Sequence, residues 1–202
     1  MNLSNSEAFV QEDVESMVAG PSLSDAFRRA FRHHPAGVAV LTARVAEQPL
    51  AITISSLISV SAAPPVVGFS LSSNSSTASA LLRADSIVIH LLRHADKALA
   101  ELGAAPGRER FGPDTPWEWL PTGEPRYTQV ATWFRAELTG TLPVEGATIV
   151  VARLLEGVAG EHTASTVAES LIYLDRRWHR LHQENSELDD GHCSIDSGHH
   201  SY

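Results

Sequence analysis

The sequence LAITISSLISVSAAPPVVGFSLSSNSST, at positions 50–77, contains two apolar runs that each lead into hydroxyl-rich residues. The runs are residues 50–54 and 65–71, and a bend at Ala62-Ala63-Pro64-Pro65 separates them. Because β-branched and apolar residues dominate both runs, the pattern predicts two strands. The serines and threonines beside them predict a binding place for an anionic, partly aromatic ligand.

The end of this stretch predicts an anion-binding helix start. Ser75-Ser76-Thr77 stands directly before apolar residues, so we expect a short helix over residues 76–83 with Leu81 and Leu82 turned inward. A helix start carries amide groups without intrahelical acceptors and a partial positive charge, which together favour phosphate. The alternative is that the serines only cap a surface helix, since short motifs of this kind are weak signals.

The residues before this stretch predict a helix followed by a strand pair. We expect Ser24 to cap a helix that turns inward through apolar residues at helical spacing, Ala26, Phe27, Ala30 and Phe31. Residues 37–44 and 50–55 predict two strands joined by a turn at Glu47-Gln48-Pro49. Strands this close in sequence are typical of antiparallel pairing.

The second half of the chain predicts more strands of the same kind. The predicted elements are a strand at 86–91, a helix capped by Asp96, long strands at 133–142 and 147–155 joined by 143–146, and a hairpin at 171–181 that turns at Asp175-Arg176. His90, inside an apolar strand, is interpreted as a hydrogen-bonded core histidine, with a place beside the ligand as the alternative. The pattern indicates a mainly β fold with flanking helices and antiparallel barrel topology.

Length and composition limit the class of protein. The 202 residues are 43% apolar and 19% charged, which predicts a globular chain with one core. We expect one domain at residues 22–182, between a disordered acidic leader at 1–21 and a polar, disordered tail at 183–202. The net charge is −9 and Lys97 is the only lysine among fifteen basic residues, which argues against nucleic acid as a partner.

The cysteine and histidine content argues against a disulfide framework and a metal centre. Cys193 is the only cysteine, which indicates a reducing cytoplasm. His33-His34 and the histidines of the tail lack a spacing that strongly indicates metal ligands. The first twenty residues lack the features of a signal peptide, and no run approaches membrane-spanning length. We therefore expect a cytoplasmic protein without a membrane partner.

Five motifs occur in the order found in one known family. They are Phe27-Arg28-Arg29-Ala30-Phe31 with residues 35–42, Thr53-Ile54-Ser55-Ser56, the S-x-S-x-x-P-P of residues 59–65, Ser75-Ser76-Thr77, and residues 171–181. Together they resemble the flavin reductase family, small NAD(P)H:flavin oxidoreductases, which implies an FMN-binding split β-barrel, a Greek-key-like antiparallel barrel. The resemblance covers roughly residues 23–181, and Ala36 stands where the family usually has threonine.

The resemblance implies a cofactor, a reaction and a set of binding residues. It implies FMN as the flavin, with FAD left open, NADH or NADPH as co-substrate, and a monooxygenase that receives reduced flavin by diffusion. The implied cofactor-binding residues are Thr53, Ile54, Ser55, Ser56, Ser70, Ser75, Ser76, Thr77 and Phe111. No catalytic acid or base is assigned, since the flavin supplies the hydride chemistry. With one lysine in the chain, the phosphate is left to hydroxyls, amides and an arginine such as Arg83.

The least regular interior segment is residues 103–124. It contains Arg110-Phe111, which the resemblance places near the flavin and the partner subunit, and it contains Trp117 and Trp119. Interior segments of this length tend to be functional or disordered. For the tryptophans, packing within the loop and covering of the flavin ring stay equal alternatives.

Two departures from the family pattern concern the nicotinamide. Many relatives have a histidine where this chain has Ala147, and another where Leu174 follows Tyr173. The leading hypothesis is an FMN reductase, and two rivals stay open: a flavin-binding or interaction protein without turnover, and an unliganded structural domain. The family also implies a homodimer, and the long apolar strands predicted at 133–142 and 147–155 exceed what a small barrel needs for its own core.

Overall fold

The structure is a computed structural model that describes residues 22–160 and 169–181. The helices are α1 (Leu23–Arg32), α2 (Ser76–Leu81) and α3 (Lys97–Ala104), with a 3-10 turn at His94–Asp96. The strands are β1 (Ala36–Gly37), β2 (Ala39–Val45), β3 (Gln48–Ile54), β4 (Ile58–Ala62), β5 (Pro65–Ser72), β6 (Ser86–Leu91), β7 (Trp117–Trp119), β8 (Pro125–Tyr127), β9 (Thr132–Val144), β10 (Ala147–Val158), β11 (Leu171–Leu174) and β12 (Arg177–Arg180). The predicted disorder of residues 1–21 and 183–202 lies outside the described residues.

A seven-stranded antiparallel sheet forms the body of the domain. Its strand order is β3-β2-β6-β9-β10-β5-β4, and separate small sheets have the orders β1-β11-β12 and β7-β8. The sheet curls until Ser56, just after β3, bonds to Ser70 of β5. Within the described residues, the two edge strands β3 and β4 do not pair with each other, so the barrel is split rather than closed. The predicted mainly β split-barrel class is confirmed.

Both faces of β2 are buried, which places it at the centre of the domain. Leu41 points into the barrel interior with Ile87, Ile89 and other apolar residues of the first core cluster. Val40, its neighbour, belongs to a second cluster with Tyr127 on the outer side, since successive side chains of a strand point to opposite faces. This second cluster attaches α3 and the hairpin β11–β12 to the barrel.

The central stretch contains three strands, where the sequence predicted two. The additional strand is β4, whose residues Ile58 and Val60 alternate with serines and are largely exposed. The alternation is a strand signal that its hydroxyl content obscured. Because β4 is an edge strand paired only with β5, its apolar side chains are not covered by the described part of the chain.

One predicted turn was wrong and another is confirmed. The turn predicted at Glu47-Gln48-Pro49 lies one to two residues earlier, at Ala46-Glu47, where both residues have positive φ, 49° and 61°. Pro49 is inside β3, which tolerates it because an edge strand has a side without ladder hydrogen bonds. The turn at Asp175-Arg176 is confirmed, with φ of 49° and 60°.

Helix α1 forms as predicted but buries none of its residues. Its N-cap is Ser22 instead of the predicted Ser24, and the Ser22 Oγ accepts the Asp25 amide at 3.2 Å. Phe27 and Phe31, expected to face inward, are 57% and 60% exposed. Helical spacing identifies an apolar face but not what covers it, and the described residues leave this face open.

The other two helices begin close to their predicted positions. Ser75 is the N-cap of α2, with its Oγ accepting the Ala78 amide at 3.2 Å, and Leu81 is fully buried as expected. Helix α3 begins directly after Asp96. The Asp96 carboxylate, however, accepts the Arg93 amide at 3.0 Å across the 3-10 turn and makes no cap bond to α3.

His90 is a hydrogen-bonded core histidine, which confirms that interpretation of the sequence. Its ring is fully buried, with Nδ1 3.1 Å from the Val40 carbonyl and Nε2 accepting the Tyr127 amide at 3.0 Å. These contacts require the neutral ring with its proton on Nδ1. Burial lowers the pKa of His90 to about 4, an effect that nearby Arg126 reinforces and the Val40 hydrogen bond opposes.

This histidine predicts a loss of stability in mild acid. The unfolded chain takes up a proton near the ordinary pKa of 6.5 and the folded protein only near 4, so protons favour unfolding between these values. The free energy of unfolding should therefore be highest above pH 6.5 and lose about 3 kcal/mol through this group as the pH falls to 4. Urea titrations of the wild type and His90→Asn between pH 6.5 and 5 measure it. An equally steep decline in the variant would contradict the assignment.

Candidate functional site

The end of β3 and the serines after it border three adjoining depressions. The first, called here the hydroxyl groove, has a volume of about 510 Å³, and the second, the α1 cleft, about 810 Å³. A smaller depression of about 200 Å³ shares Thr53 with the hydroxyl groove and Ser55 with the α1 cleft. The two larger volumes lie in the range of small-molecule sites.

The hydroxyl groove is built around the start of α2. It is lined by Ile52, Thr53, Asn74, Ser75, Ser76, Thr77, Gly103, Ala104, Pro106, Gly107 and Arg110. The Ser75 hydroxyl serves as the helix cap, whereas Ser76 is exposed and Thr77 half-buried at the groove. The structure thus brings the predicted triplet together with β3 and with the segment after α3.

Arg110 supplies the only cation of the groove lining. Its Nη2 donates to the Ala105 carbonyl at 3.0 Å, and its Nε is buried without a hydrogen-bond partner in the described residues. A buried donor of this kind is costly to leave unpaired, so a ligand acceptor would be stabilising here. Sequence reasoning named Arg83 instead, but Arg83 is exposed near the end of α2, bonds to the Ser79 carbonyl and does not line the groove.

A set of aromatic rings holds the Arg110 backbone in place. The Tyr127 hydroxyl donates to the Arg110 carbonyl at 2.9 Å, and burial raises the pKa of Tyr127, which keeps the hydroxyl a donor. Phe111 stacks on Tyr127 with ring centroids 5.3 Å apart, and Trp117 Nε1 donates to the Phe111 carbonyl at 2.9 Å. Trp119 packs edge-on against Trp117. The rings of this segment therefore pack against one another, as one of the two alternatives had it.

Phe111 does not line any of the three depressions. The structure gives its ring a packing role under the Arg110 segment, where it contacts Tyr127 and Trp117. Its adjacency to Arg110 in sequence was the signal that could have identified the arginine. A direct contact between Phe111 and a flavin stays a prediction.

Thr53 joins β3 to α3. Its Oγ1 donates to the Ala100 carbonyl at 2.8 Å, so the hydroxyl is already engaged inside the protein. A Cβ at Gly103 would overlap this same Oγ1, so the absence of a side chain at Gly103 lets the helix approach the strand this closely. Thr53 thereby fixes one wall of the hydroxyl groove.

The other residues of the predicted ring-binding motif have different orientations. Ile54 is buried in the barrel core, so its backbone is the part that borders the smaller depression. The Ser56 Oγ donates to the Ser70 carbonyl and accepts the Ser70 amide, at 3.1 and 3.0 Å. Ser55 and Ser70 are exposed, and both line the α1 cleft.

The α1 cleft lies between α1, the end of β3 and the hairpin β11–β12. One part of its lining is the three serines Ser55, Ser56 and Ser70, and the rest combines aromatic and cationic side chains with aliphatic residues such as Leu57 and Ile58. Leu174, where the resemblance implies a histidine, is among the lining residues and is half-buried. Ala147, the other such position, pairs with Ser72 of β5 and lines none of the three depressions. Neither position supplies a proton donor.

The described residues contain neither a candidate metal centre nor a membrane-spanning helix. Within residues 22–160 and 169–181, no group of three or more His, Cys, Asp or Glu side chains could hold a metal ion. The same ranges contain no helix long and apolar enough to cross a membrane. Cys193 and the histidines after it fall outside the described residues.

Comparison with known proteins gives consistent similarities. The pattern of the flavin reductase like domain matches residues 31–182. The NADH:FMN oxidoreductase of Rhodococcus qingshengii is 35% identical over 173 residues, 83% of this chain and 90% of the relative. The reductase component of Thermus thermophilus 4-hydroxyphenylacetate 3-monooxygenase is 28% identical, over 79% of this chain and 97% of the relative.

A solved structure extends this similarity to three dimensions. The crystal structure of a flavin reductase domain protein from Arthrobacter sp. FB24 superposes with a TM-score of 0.74 at 29% identity, over 82% of this chain and 100% of that one. The residues matched by the domain pattern include all those that line the hydroxyl groove.

Proposed function

This chain belongs to the flavin reductase-like domain family, and on that basis we propose that it is an NADH:FMN oxidoreductase. The observation that carries the proposal is the hydroxyl groove, where the α2 start, the end of β3 and Arg110 meet beside the α1 cleft. When bound, the flavin supplies the redox chemistry by accepting a hydride from the nicotinamide. The protein needs to bind and orient the two molecules and to let the flavin leave.

The phosphate of FMN is assigned to Arg110, Ser76 and Thr77. The helix start favours an anion electrostatically, and the two hydroxyls add hydrogen-bond donors. The unpaired Arg110 Nε supports this assignment, because a phosphate oxygen would satisfy it with a charge-assisted hydrogen bond. In a chain of net charge −9, such a local cation offsets repulsion of an anionic ligand.

The flavin ring and ribityl chain are assigned to residues 53–56 with Ser70. Since the Ile54 side chain is buried and the Thr53 and Ser56 hydroxyls are engaged internally, backbone amides and carbonyls of this segment would meet the ring edge. Ser55 and Ser70 retain exposed hydroxyls for the more polar part of the flavin. Ser75 contributes through the helix cap rather than through a free hydroxyl.

The reduced flavin is proposed to pass to a separate monooxygenase by diffusion. Support comes from the Thermus relative, which is itself the reductase component of a monooxygenase. The proposed phosphate site has one arginine and no lysine, which suits a flavin that exchanges. We place this activity in the cytoplasm, where nicotinamide coenzymes are available.

A homodimer is proposed from apolar side chains exposed on β9 and β10. Leu142 is 59% and Ile149 42% exposed, and the two residues are directly opposite each other in the strand pair. Ile149 is also paired with Ser70 of β5, so this patch adjoins a residue of the α1 cleft. Apolar patches of this kind favour association, and a two-fold interface would cover the same patch on both copies.

The rival function is flavin binding without turnover. Leu174 favours it, because it lines the α1 cleft at a position where the resemblance implies a histidine that could position a nicotinamide. Ala147, the other such position, lines none of the three depressions. Loss of each positioned group slows a reaction by about tenfold for every 1.4 kcal/mol of barrier. The two functions differ in one measurable property, the rate of flavin reduction.

Anaerobic stopped-flow absorbance decides between them. With FMN, NADH and the protein together, the flavin absorbance should bleach faster than with FMN and NADH alone, because the protein holds both reactants in one site. The same assay compares FAD with FMN and NADPH with NADH. A bleaching rate that does not depend on the protein, while FMN still binds, would replace the reductase with the flavin-binding alternative.

Arg110→Gln tests the phosphate site. FMN affinity should fall by about tenfold or more, since a charge-assisted hydrogen bond contributes about 1.5–3 kcal/mol. Riboflavin lacks the phosphate, so its affinity should stay unchanged in the same variant, and Arg83→Gln is the control for total charge. Thr77→Asp should also weaken FMN by about 2 kcal/mol or more through repulsion. Equal losses for FMN and riboflavin would place the phosphate elsewhere.

Light scattering at micromolar concentration tests the dimer. The mass should be twice 21.8 kDa for the wild type. Ile149→Glu should give a monomer, because the symmetric interface would then bury two carboxylates that lack partners. Leu181→Glu, at a residue 41% exposed just after β12, is the matched control and should leave the dimer intact. A monomeric wild type would refute the proposal.

A further inference from the structure

The α1 cleft has a second part, formed by α1 and the β11–β12 turn, that combines aromatic rings with positive charge. Phe27 and Phe31 form a tilted pair with ring centroids 4.4 Å apart, and more than half of each side chain is exposed. Arg28, Arg32 and Arg176 line the same cleft, with Asp175 as its one acidic residue. The flavin assignments above use none of these side chains.

Two of these arginines are available to a ligand. The Asp175 amide donates to the Arg32 carbonyl at 2.8 Å, which ties the β11–β12 turn to the end of α1 and brings Arg32 and Arg176 to one cleft. Arg28 is engaged by Asp25 at 3.0 Å. Neither Arg32 nor Arg176 has an acidic partner among the residues that the structure describes.

This composition matches a dinucleotide. A nicotinamide coenzyme has two aromatic ring systems joined by a pyrophosphate with two negative charges, so it needs a stacking surface next to cations. Guanidinium groups bind phosphate through paired N–H donors, and aromatic rings stack at low entropic cost. The chain as a whole carries a net charge of −9, whereas this cleft has two arginines without acidic partners among the described residues. The local charge of the cleft therefore favours an anion.

We infer that Arg32 and Arg176 bind the pyrophosphate of the nicotinamide coenzyme, while the Phe27–Phe31 pair receives its adenine. The inference rests on the proposed reductase function and names residues that determine coenzyme affinity. The nicotinamide would then extend along the cleft toward the flavin ring, which is assigned to residues 53–56 and Ser70 at the other end of the same cleft. Leu174 lines this cleft and offers no charge to the coenzyme, so the arginines are its cationic contacts in this proposal.

The chain offers matched variants for a test. Arg32→Gln and Arg176→Gly remove the two guanidinium groups, and Arg29→Gln and Arg177→Gln remove neighbouring arginines that do not line the cleft. Arg176 has a φ of 60°, a conformation that glycine adopts more easily, so its replacement should not weaken the turn. A loss of coenzyme affinity in Arg176→Gly therefore reports binding rather than folding.

The measurements are steady-state kinetics and calorimetry. Each cleft variant should raise the KM for NADH about tenfold and weaken the binding of ADP-ribose, which lacks nicotinamide, by a similar factor. The dissociation constant of FMN should not change, and the controls should match the wild type. The KM of the wild type should rise with salt, and that dependence should flatten in the double variant.

The failures of the two proposals are distinguishable. A wild type that does not accelerate flavin reduction refutes the reductase function itself. An active wild type whose cleft variants keep their KM and ADP-ribose affinity refutes only the role of the arginines. Loss of FAD affinity with an unchanged KM for NADH would also overturn the inference, since the cleft would then hold the adenylate of the flavin.

Discussion

The position of the candidate site depends on a buried imidazole that bridges two distant segments. His90 receives the Tyr127 amide on Nε2 and approaches the Val40 carbonyl with Nδ1, so it connects β2 to β8 from its place on β6. The Tyr127 hydroxyl in turn holds the Arg110 carbonyl. A neutral ring is required, because Nε2 must accept, and burial lowers its pKa enough to keep it neutral. The only cation of the hydroxyl groove is thus positioned through a histidine that does not line it.

A second anchor restrains the far end of the same irregular segment. Glu124 is almost fully buried, and its carboxylate accepts hydrogen bonds from Ser86, from Thr122 and from Arg135 Nε, the last at 2.7 Å. Burial alone would raise the pKa of Glu124, but these hydrogen bonds outweigh it and the pKa is lowered. Tyr127 holds the irregular segment 103–124 at Arg110, and Glu124 holds it at its far end. These two networks fix the backbone of a segment that has little regular secondary structure.

Backbone groups, hydroxyl groups and a few arginines have different roles in the candidate site. The Thr53 and Ser56 hydroxyls form hydrogen bonds with Ala100 and Ser70, and these bonds shape the walls of the hydroxyl groove and the α1 cleft. Recognition of a flavin ring is therefore left to the main chain of this segment. Because a flavin carries its own redox chemistry, a protein of this kind needs position more than it needs proton donors. The apolar residues at Ala147 and Leu174 are compatible with that requirement.

Local sequence was sufficient for most of the longer strands, the Ser75 cap, the Asp175-Arg176 turn and the family, because period-two alternation, capping residues and motif order are short-range properties. It did not predict the short strands β7 and β8. It was insufficient for β4, because the apolar side chains of this edge strand are exposed rather than buried. It was also insufficient for α1, because the described residues do not cover the apolar side of this helix. It named Arg83 for the phosphate, whereas the arginine that lines the hydroxyl groove is Arg110. Which hydroxyl is engaged, and which segments meet at the α1 cleft, is decided by contacts such as Thr53 with Ala100, Ser56 with Ser70 and the Asp175 amide with the Arg32 carbonyl. These pairs are far apart in the chain, so only the tertiary structure brings them together.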